Sequence, residues 1–280
     1  MREIDVSKVT KTVKKLCINA NYYLNEDIRN RFKESKEQET FPIAKNIIGI
    51  LEENADIAEK EQMPMCQDTG MTLVFVELGQ EVEIVGGVLE DAINEGIRQG
   101  YIEGYLRKSV VNDPLERINT KDNTPGVIYY DIVPGDQLKI TVAPKGFGSE
   151  NMSQLKMLKP ADGIKGVKDF VLQVVKEAGP NACPPLVVGV GIGGTFDRVA
   201  LLAKKALLRS TDIRNSKPFY ANLEKELLEE INKSGIGPQG FGGKTTALAV
   251  NIETYPTHIA GLPVAVNINC HATRHAEAYI

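Results

Sequence analysis

Residues 186–209 read LVVGVGIGGTFDRVALLAKKALLR. The apolar run Leu186, Val187, Val188, Val190 and Ile192 is short, is interrupted only by small residues, and stops in Gly193-Gly194. It predicts a buried strand running into a glycine turn, with a helix following near 197–209. Upstream, Pro160 opens a helix with Ile164, Val167, Phe170, Val171 and Val174 on its apolar side, and Gly179-Pro180 stops it. Downstream, a polar helix around 218–234 turns Leu223, Leu227, Leu228 and Ile231 inward. Two further strands follow in GFGGKTTALAVNIET and GLPVAVNINCHATRHA, separated by Pro256 and Gly261-Leu262-Pro263.

The N-terminal half has the same mixture. Val6, Val9, Val13, Leu16, Cys17 and Ala20 recur at steps of three and four, the spacing of one buried helical face. Thr40, Phe41 and Pro42 read as cap and first turn of a second helix, expected to carry Ile43, Ile47, Ile50 and Leu51 toward the core. After the loop MPMCQDTG, MTLVFVEL (71–78) reads as a buried strand. Residues 86–108 return to helical period through Val88, Leu89, Ala92, Ile93 and Ile97. VIYYDIV (127–133) and QLKITVA (137–143), joined by Pro134-Gly135-Asp136, predict an antiparallel hairpin. Strands alternating with helices give an α/β chain (mixed α+β), with mixed sheets flanked by helices. With no repeat and no linker signal, it is expected to form a single domain over 1–280.

The 280 residues carry 33 Lys+Arg against 37 Asp+Glu, a net charge of −4, and no basic stripe interleaved with aromatics, which argues against a nucleic-acid binder. Charges break every apolar run in MREIDVSKVTKTVKKL, so no secretory core is present there. No apolar stretch approaches the roughly 20 residues that span a bilayer. Mean hydropathy is −0.19, and a soluble cytoplasmic protein is expected, with four cysteines kept as thiols or metal ligands.

Two glycine motifs invite a nucleotide-binding reading. Gly189, Gly191 and Gly194 satisfy G-x-G-x-x-G between strand and helix, but Asp212, the acidic residue at the right distance, sits in RSTDIRNSK, which has no strand pattern. A tight strand-to-helix turn that needs small residues is the preferred reading of the glycines. GFGGKTT ends like a phosphate loop, yet Pro238 stands where G-x-x-x-x-G-K needs glycine, and a strand follows rather than a helix. Lys244 is then a lysine on a glycine turn, with no role assigned.

Cys17 lies within a helical apolar stripe and reads as a small core hydrophobe. Cys66, Cys183 and Cys270 stand at element boundaries, where a side chain can face a cleft, although their separations match no compact metal-binding run. MCQDTG, LRKS, KGFGSENMS, ACPPLVVGVGIGGT, GFGGKTTALAV and THIAGLPVAVNINCHA, in this order from residue 65 on, resemble the iron–sulfur class of fumarate hydratases. The length resembles the alpha subunit of its two-chain forms, an arrangement shared with L-tartrate dehydratase.

That resemblance implies a [4Fe–4S] cluster on Cys66, Cys183 and Cys270, with one iron left open as a Lewis acid. It implies that Gln67 and Arg107 bind substrate carboxylates, that Asp68 orients the departing hydroxyl or relays a proton, and that Gly148 offers its backbone N–H. It places His258, twelve residues before Cys270, at the site as a carboxylate donor or a support for Asp68. The implied reaction is reversible hydration of fumarate to malate, with tartrate dehydration or mesaconate hydration as variants. The chain ends ten residues after Cys270, so the remaining substrate-binding groups and the catalytic base are expected on a beta subunit. The other readings open to the residues are a nucleotide-dependent oxidoreductase built on Gly189-Gly191-Gly194 and an iron–sulfur protein without catalysis.

Overall fold

The computed structural model describes residues 1–280. Eighteen helices and strands run in the order β1 (Arg2–Asp5), α1 (Val6–Tyr22), α2 (Glu26–Gln38), α3 (Pro42–Glu61), β2 (Met71–Gly79), β3 (Val82–Val85), α4 (Leu89–Glu103), β4 (Val127–Val133), β5 (Leu138–Lys145), α5 (Phe147–Glu150), β6 (Gln154–Leu158), α6 (Gly163–Ala178), β7 (Leu186–Gly193), α7 (Phe196–Ala206), α8 (Pro218–Asn232), β8 (Ala247–Tyr255), β9 (Leu262–Asn269) and β10 (Ala276–Tyr279). The mixed α/β character expected from the sequence is therefore present. The chain, expected as one domain, divides into two compact units: Met1–Leu24 with Asn54–Phe147 and Arg274–Ile280, and Asn25–Glu53 with Gly148–Thr273.

The first unit holds a four-stranded sheet in the order β10-β5-β2-β4, and β1 pairs with β3 in a small parallel ribbon. Val9, Val13, Leu16 and Cys17 of α1 and Ile93, Ile97 and Tyr101 of α4 are buried with Val74, Val76, Leu138, Ile140 and Val142 of the sheet. The two helices approach closely because α4 offers small residues. A Cβ on Gly100 would stand 2.8 Å from Cys17 Cβ and 3.0 Å from Lys14 O.

The expected hairpin between 127–133 and 137–143 is not formed. Both strands exist, but β2 lies between them, parallel to β4 and antiparallel to β5. The turn instead crosses the end of β2: Gly79 N–H donates to Gln137 O at 2.9 Å and Gln80 N–H to Val133 O at 2.9 Å. Local alternation predicts strands well, whereas the identity of a neighbour depends on a segment fifty residues away.

The second unit has the sheet β6-β9-β7-β8, in which β7 runs parallel to β8 and antiparallel to β9. Val188, Val190 and Ile192 share a core with α6 and α8. The alternate positions face α7: a Cβ on Gly189 would meet Ala203 O at 2.3 Å, and one on Gly191 would meet Val199 O at 2.2 Å. The glycines of G-x-G-x-x-G thus let α7 lie against the strand, and Asp212 is paired with Arg31 at 3.2 Å. The packing reading of this motif accounts for its residues without a nucleotide.

Two helix faces differ from expectation. On α3 the inward residues are Ala44, Ile48, Ala55 and Ala58, while Ile43 and Ile50 are half exposed. Both stripes have helical spacing, and small alanines gave the sequence pattern no means of choosing between them. Ile164 is likewise half exposed. α2 was not anticipated, since only Ile28 and Phe32 of its thirteen residues are buried. No helix is long and apolar enough to cross a membrane.

Candidate active site

In the first unit the loop 63–70 between α3 and β2 carries Cys66, Gln67 and Asp68. Cys66 is half buried and Gln67 is exposed. The Asp68 carboxylate is anchored at both oxygens: Oδ1 accepts from Gly70 N–H at 3.0 Å and Oδ2 from Phe147 N–H at 2.8 Å. A side chain on Gly146 would bring its Cβ to 3.1 Å from Asp68 Oδ2, so glycine there leaves room for the carboxylate. A carboxylate fixed in this way keeps a spare lone pair on each oxygen, which suits it to orient a hydroxyl or to pass a proton. Arg107 is exposed, but its backbone is not free, because Thr69 Oγ1 donates to Arg107 O at 3.1 Å. The guanidinium is thus presented to solvent from a stretch tied to the Asp68 loop.

In the second unit Cys183 and Cys270 come together at one end of the sheet. Val187 of β7 pairs with Asn269 of β9, and His271 N–H donates to Cys183 O at 3.1 Å. Cys183 has φ +52°, and Gln239, which the sequence reading did not single out, braces the same corner. Its backbone N–H and its Nε2 both donate to Pro184 O at 2.7 Å, and Nε2 lies 3.1 Å from His271 Nδ1. Gly148 is exposed, and a Cβ there would stand 3.8 Å from Asn181 O, two residues before Cys183.

His258 is placed elsewhere. It begins the turn closed by Gly261 N–H to His258 O at 2.9 Å, ahead of β9, whereas Cys270 follows β9. The seven steps of about 3.3 Å along β9 set Leu262 and Asn269 about 23 Å apart. His258 instead lines a cavity of about 350 Å³ with Ile164, Val167, Phe219, Leu223 and Ile259. The twelve residues that separate His258 from Cys270 in sequence thus include the whole of an extended strand.

The four cysteines divide by environment. Cys17 is fully buried, and desolvation pushes its thiol well above the ordinary range, so it stays protonated and inert. The other three are thiols of intermediate exposure at element ends. No group of three or more His, Cys, Asp or Glu side chains is gathered around a metal position. Three accessible thiols are nevertheless a donor set of the kind an iron–sulfur group takes, and Cys17 is not available to it.

Lys244 is exposed on a turn closed by a protein carboxylate. The buried Glu39 accepts from Thr40, Phe41 and Lys244 backbone N–H groups at 2.9, 3.0 and 2.7 Å. The turn that resembled a phosphate loop is thus satisfied from within.

A chain with this arrangement and these motif positions matches the family model described as "Fumarate hydratase (Fumerase)" over residues 10–279. It belongs to that family and is a hydro-lyase. Among similar proteins, the Methanocaldococcus jannaschii protein named "Putative L(+)-tartrate dehydratase subunit alpha" is 46% identical, covering 96% of each chain. The L(+)-tartrate dehydratase subunit alpha of Escherichia coli O157:H7 is 34% identical over 98% of this chain and 91% of its own.

Proposed function

We propose that this chain is the alpha subunit of a cytoplasmic hydro-lyase that interconverts fumarate and malate, with Cys66, Cys183 and Cys270 holding a [4Fe–4S] cluster and a beta subunit completing the site. The observation that carries the proposal is Asp68, two residues after a half-buried thiol and fixed at both carboxylate oxygens. When bound, the cluster supplies a Lewis-acidic iron that activates the leaving hydroxyl. Asp68 orients that hydroxyl and passes the proton that leaves with it as water. Gln67 donates an amide N–H to one substrate carboxylate, and the Arg107 guanidinium clamps a carboxylate bidentately. Gly148 lets the substrate approach the backbone closely and donates its N–H. His258, across the length of β9 from Cys270, is left out of this set.

A second substrate is favoured by a specific observation, since the relatives described above carry the name of L(+)-tartrate dehydratase. Tartrate, like malate, is a four-carbon dicarboxylate that loses one hydroxyl as water, so the same clamps serve either. Purified anaerobically, the chain alone is expected to turn over neither compound. Mixed with its beta partner, it is expected to turn over at least one of malate and L-tartrate. Full turnover by the chain alone would refute the two-subunit site, and the ratio of kcat/KM values on the two compounds assigns the substrate.

A further inference from the structure

The loop bearing Gln67 and Asp68 is held by an arrangement that the mechanism above does not use. Three consecutive backbone carbonyls each accept from a buried side chain. Arg274 Nη2 donates to Asp68 O at 2.5 Å, Tyr101 OH to Thr69 O at 2.7 Å and Gly70 O at 3.1 Å, and Asn123 Nδ2 to Gly70 O at 3.2 Å. Tyr101 and Asn123 have no exposed surface and Arg274 has 5%. The donors come from α4, from the loop before β4 and from the segment before β10, so a folded core, not the loop itself, sets the position of these carbonyls.

The same group reaches the Arg107 segment. Asn123 Oδ1 accepts from Ser109 N–H at 2.7 Å and Val110 N–H at 3.2 Å, so one buried amide holds Gly70 on one side and residues 109–110 on the other. Thr69 Oγ1 to Arg107 O at 3.1 Å makes a second tie. Burial also pushes the Tyr101 phenol well above its ordinary range, so it remains an O–H donor throughout the working pH range.

We propose that Tyr101, Asn123 and Arg274 are positioning residues that fix Asp68 relative to Arg107, and hence the proton-transfer group relative to the carboxylate clamp. The proposal rests on the reading that Asp68 and Arg107 meet the substrate. Misplacement by about 1 Å can cost on the order of 100-fold in rate, so small adjustments of this loop have large consequences.

The test uses the anaerobic complex of the chain with its beta partner. Tyr101→Phe keeps the ring and removes one donor. It is expected to lower kcat by about 10- to 100-fold with KM within about 3-fold of wild type and iron per chain unchanged. Arg274→Lys, which can still donate to Asp68 O, is expected to retain most of the kcat that Arg274→Ala loses. Combined with Arg107→Lys, Tyr101→Phe is expected to cost less than the product of the single losses, because both disturb one geometry. Wild-type kcat with only a lowered Tm, or losses that multiply independently, would overturn the proposal. If the wild-type complex turns over no dicarboxylate, the functional reading fails, and amide hydrogen exchange then decides the clamp alone. Faster exchange confined to 66–70 and 107–110 in Tyr101→Phe supports the clamp, and unchanged exchange overturns it.

Discussion

In the proposed mechanism Asp68 moves the proton, and its two anchoring hydrogen bonds make the outcome of substitution specific. Asn at this position keeps the shape and one acceptor oxygen but cannot carry a proton. Asp68→Asn is therefore expected to lower kcat of the assembled enzyme by about 100-fold or more, in the range of general acid–base contributions, with iron content unchanged. Undiminished turnover would show that a group other than Asp68 moves the proton. At this scale the sequence offers candidates where a motif names its residues, as in MCQDTG, and is silent where a contact is set by the tertiary fold. Tyr101 reads as a core aromatic of α4, Asn123 as a loop residue and Arg274 as part of a polar tail, and only the folded chain aims all three at adjacent carbonyls. His258 is separated from Cys270 by the whole of β9, which a count of residues in sequence does not reveal.

Among the elements, helix packing separates two glycines that look alike in sequence. Ala is the better helix former by about 1 kcal/mol, so Gly→Ala within a helix stabilises wherever space allows. At Gly49 of α3 the new Cβ would meet only the flexible end of Lys36, at 3.2 Å, and Gly49→Ala is expected to raise stability by up to about 1 kcal/mol. At Gly100 it would press on Cys17 Cβ and the backbone of Lys14, and the overpacking cost of about 1–3 kcal/mol outweighs that gain. Urea unfolding of the two variants should give shifts of opposite sign.

The same α1–α4 contact predicts a pH dependence. Cys17 holds its proton far more tightly when folded than its ordinary value of about 9 allows in the unfolded chain. Its contribution to stability is fully present below about pH 9 and is lost as pH rises above it, by about 1.4 kcal/mol per pH unit. Cys17→Ala is expected to flatten the fall of the urea midpoint between pH 9 and 10. Long elements with one clear apolar stripe, such as α1, α6 and β7, were legible in the sequence. The four-residue strands β1, β3 and β10 were not, because so few residues define no period. The partner of β4 was not legible either, because β2 supplies it from far along the chain.

On the scale of the whole molecule, the chain leaves the first unit after Leu24, returns at Asn54, leaves again after Phe147 and returns at Arg274. No linker marks these passages, and one of them falls inside the continuous helix α3, so composition along the sequence gave no sign of two units. The proposed ligands follow this division, with Cys66 in the first unit and Cys183 and Cys270 in the second. It is the resemblance of their motifs, and not their spacing, that proposes the three as one set.

In the proposed function these three thiolates hold a cluster which makes the chain a catalyst. The most direct test measures iron and acid-labile sulfide, with electron paramagnetic resonance, on chain reconstituted without oxygen. About four irons and four sulfides per chain are expected in the wild type and in Cys17→Ser, falling or becoming labile in Cys66→Ser. A folded, colourless, iron-free wild-type chain, or equal iron in Cys66→Ser and Cys17→Ser, would rule out a cluster held by these thiolates.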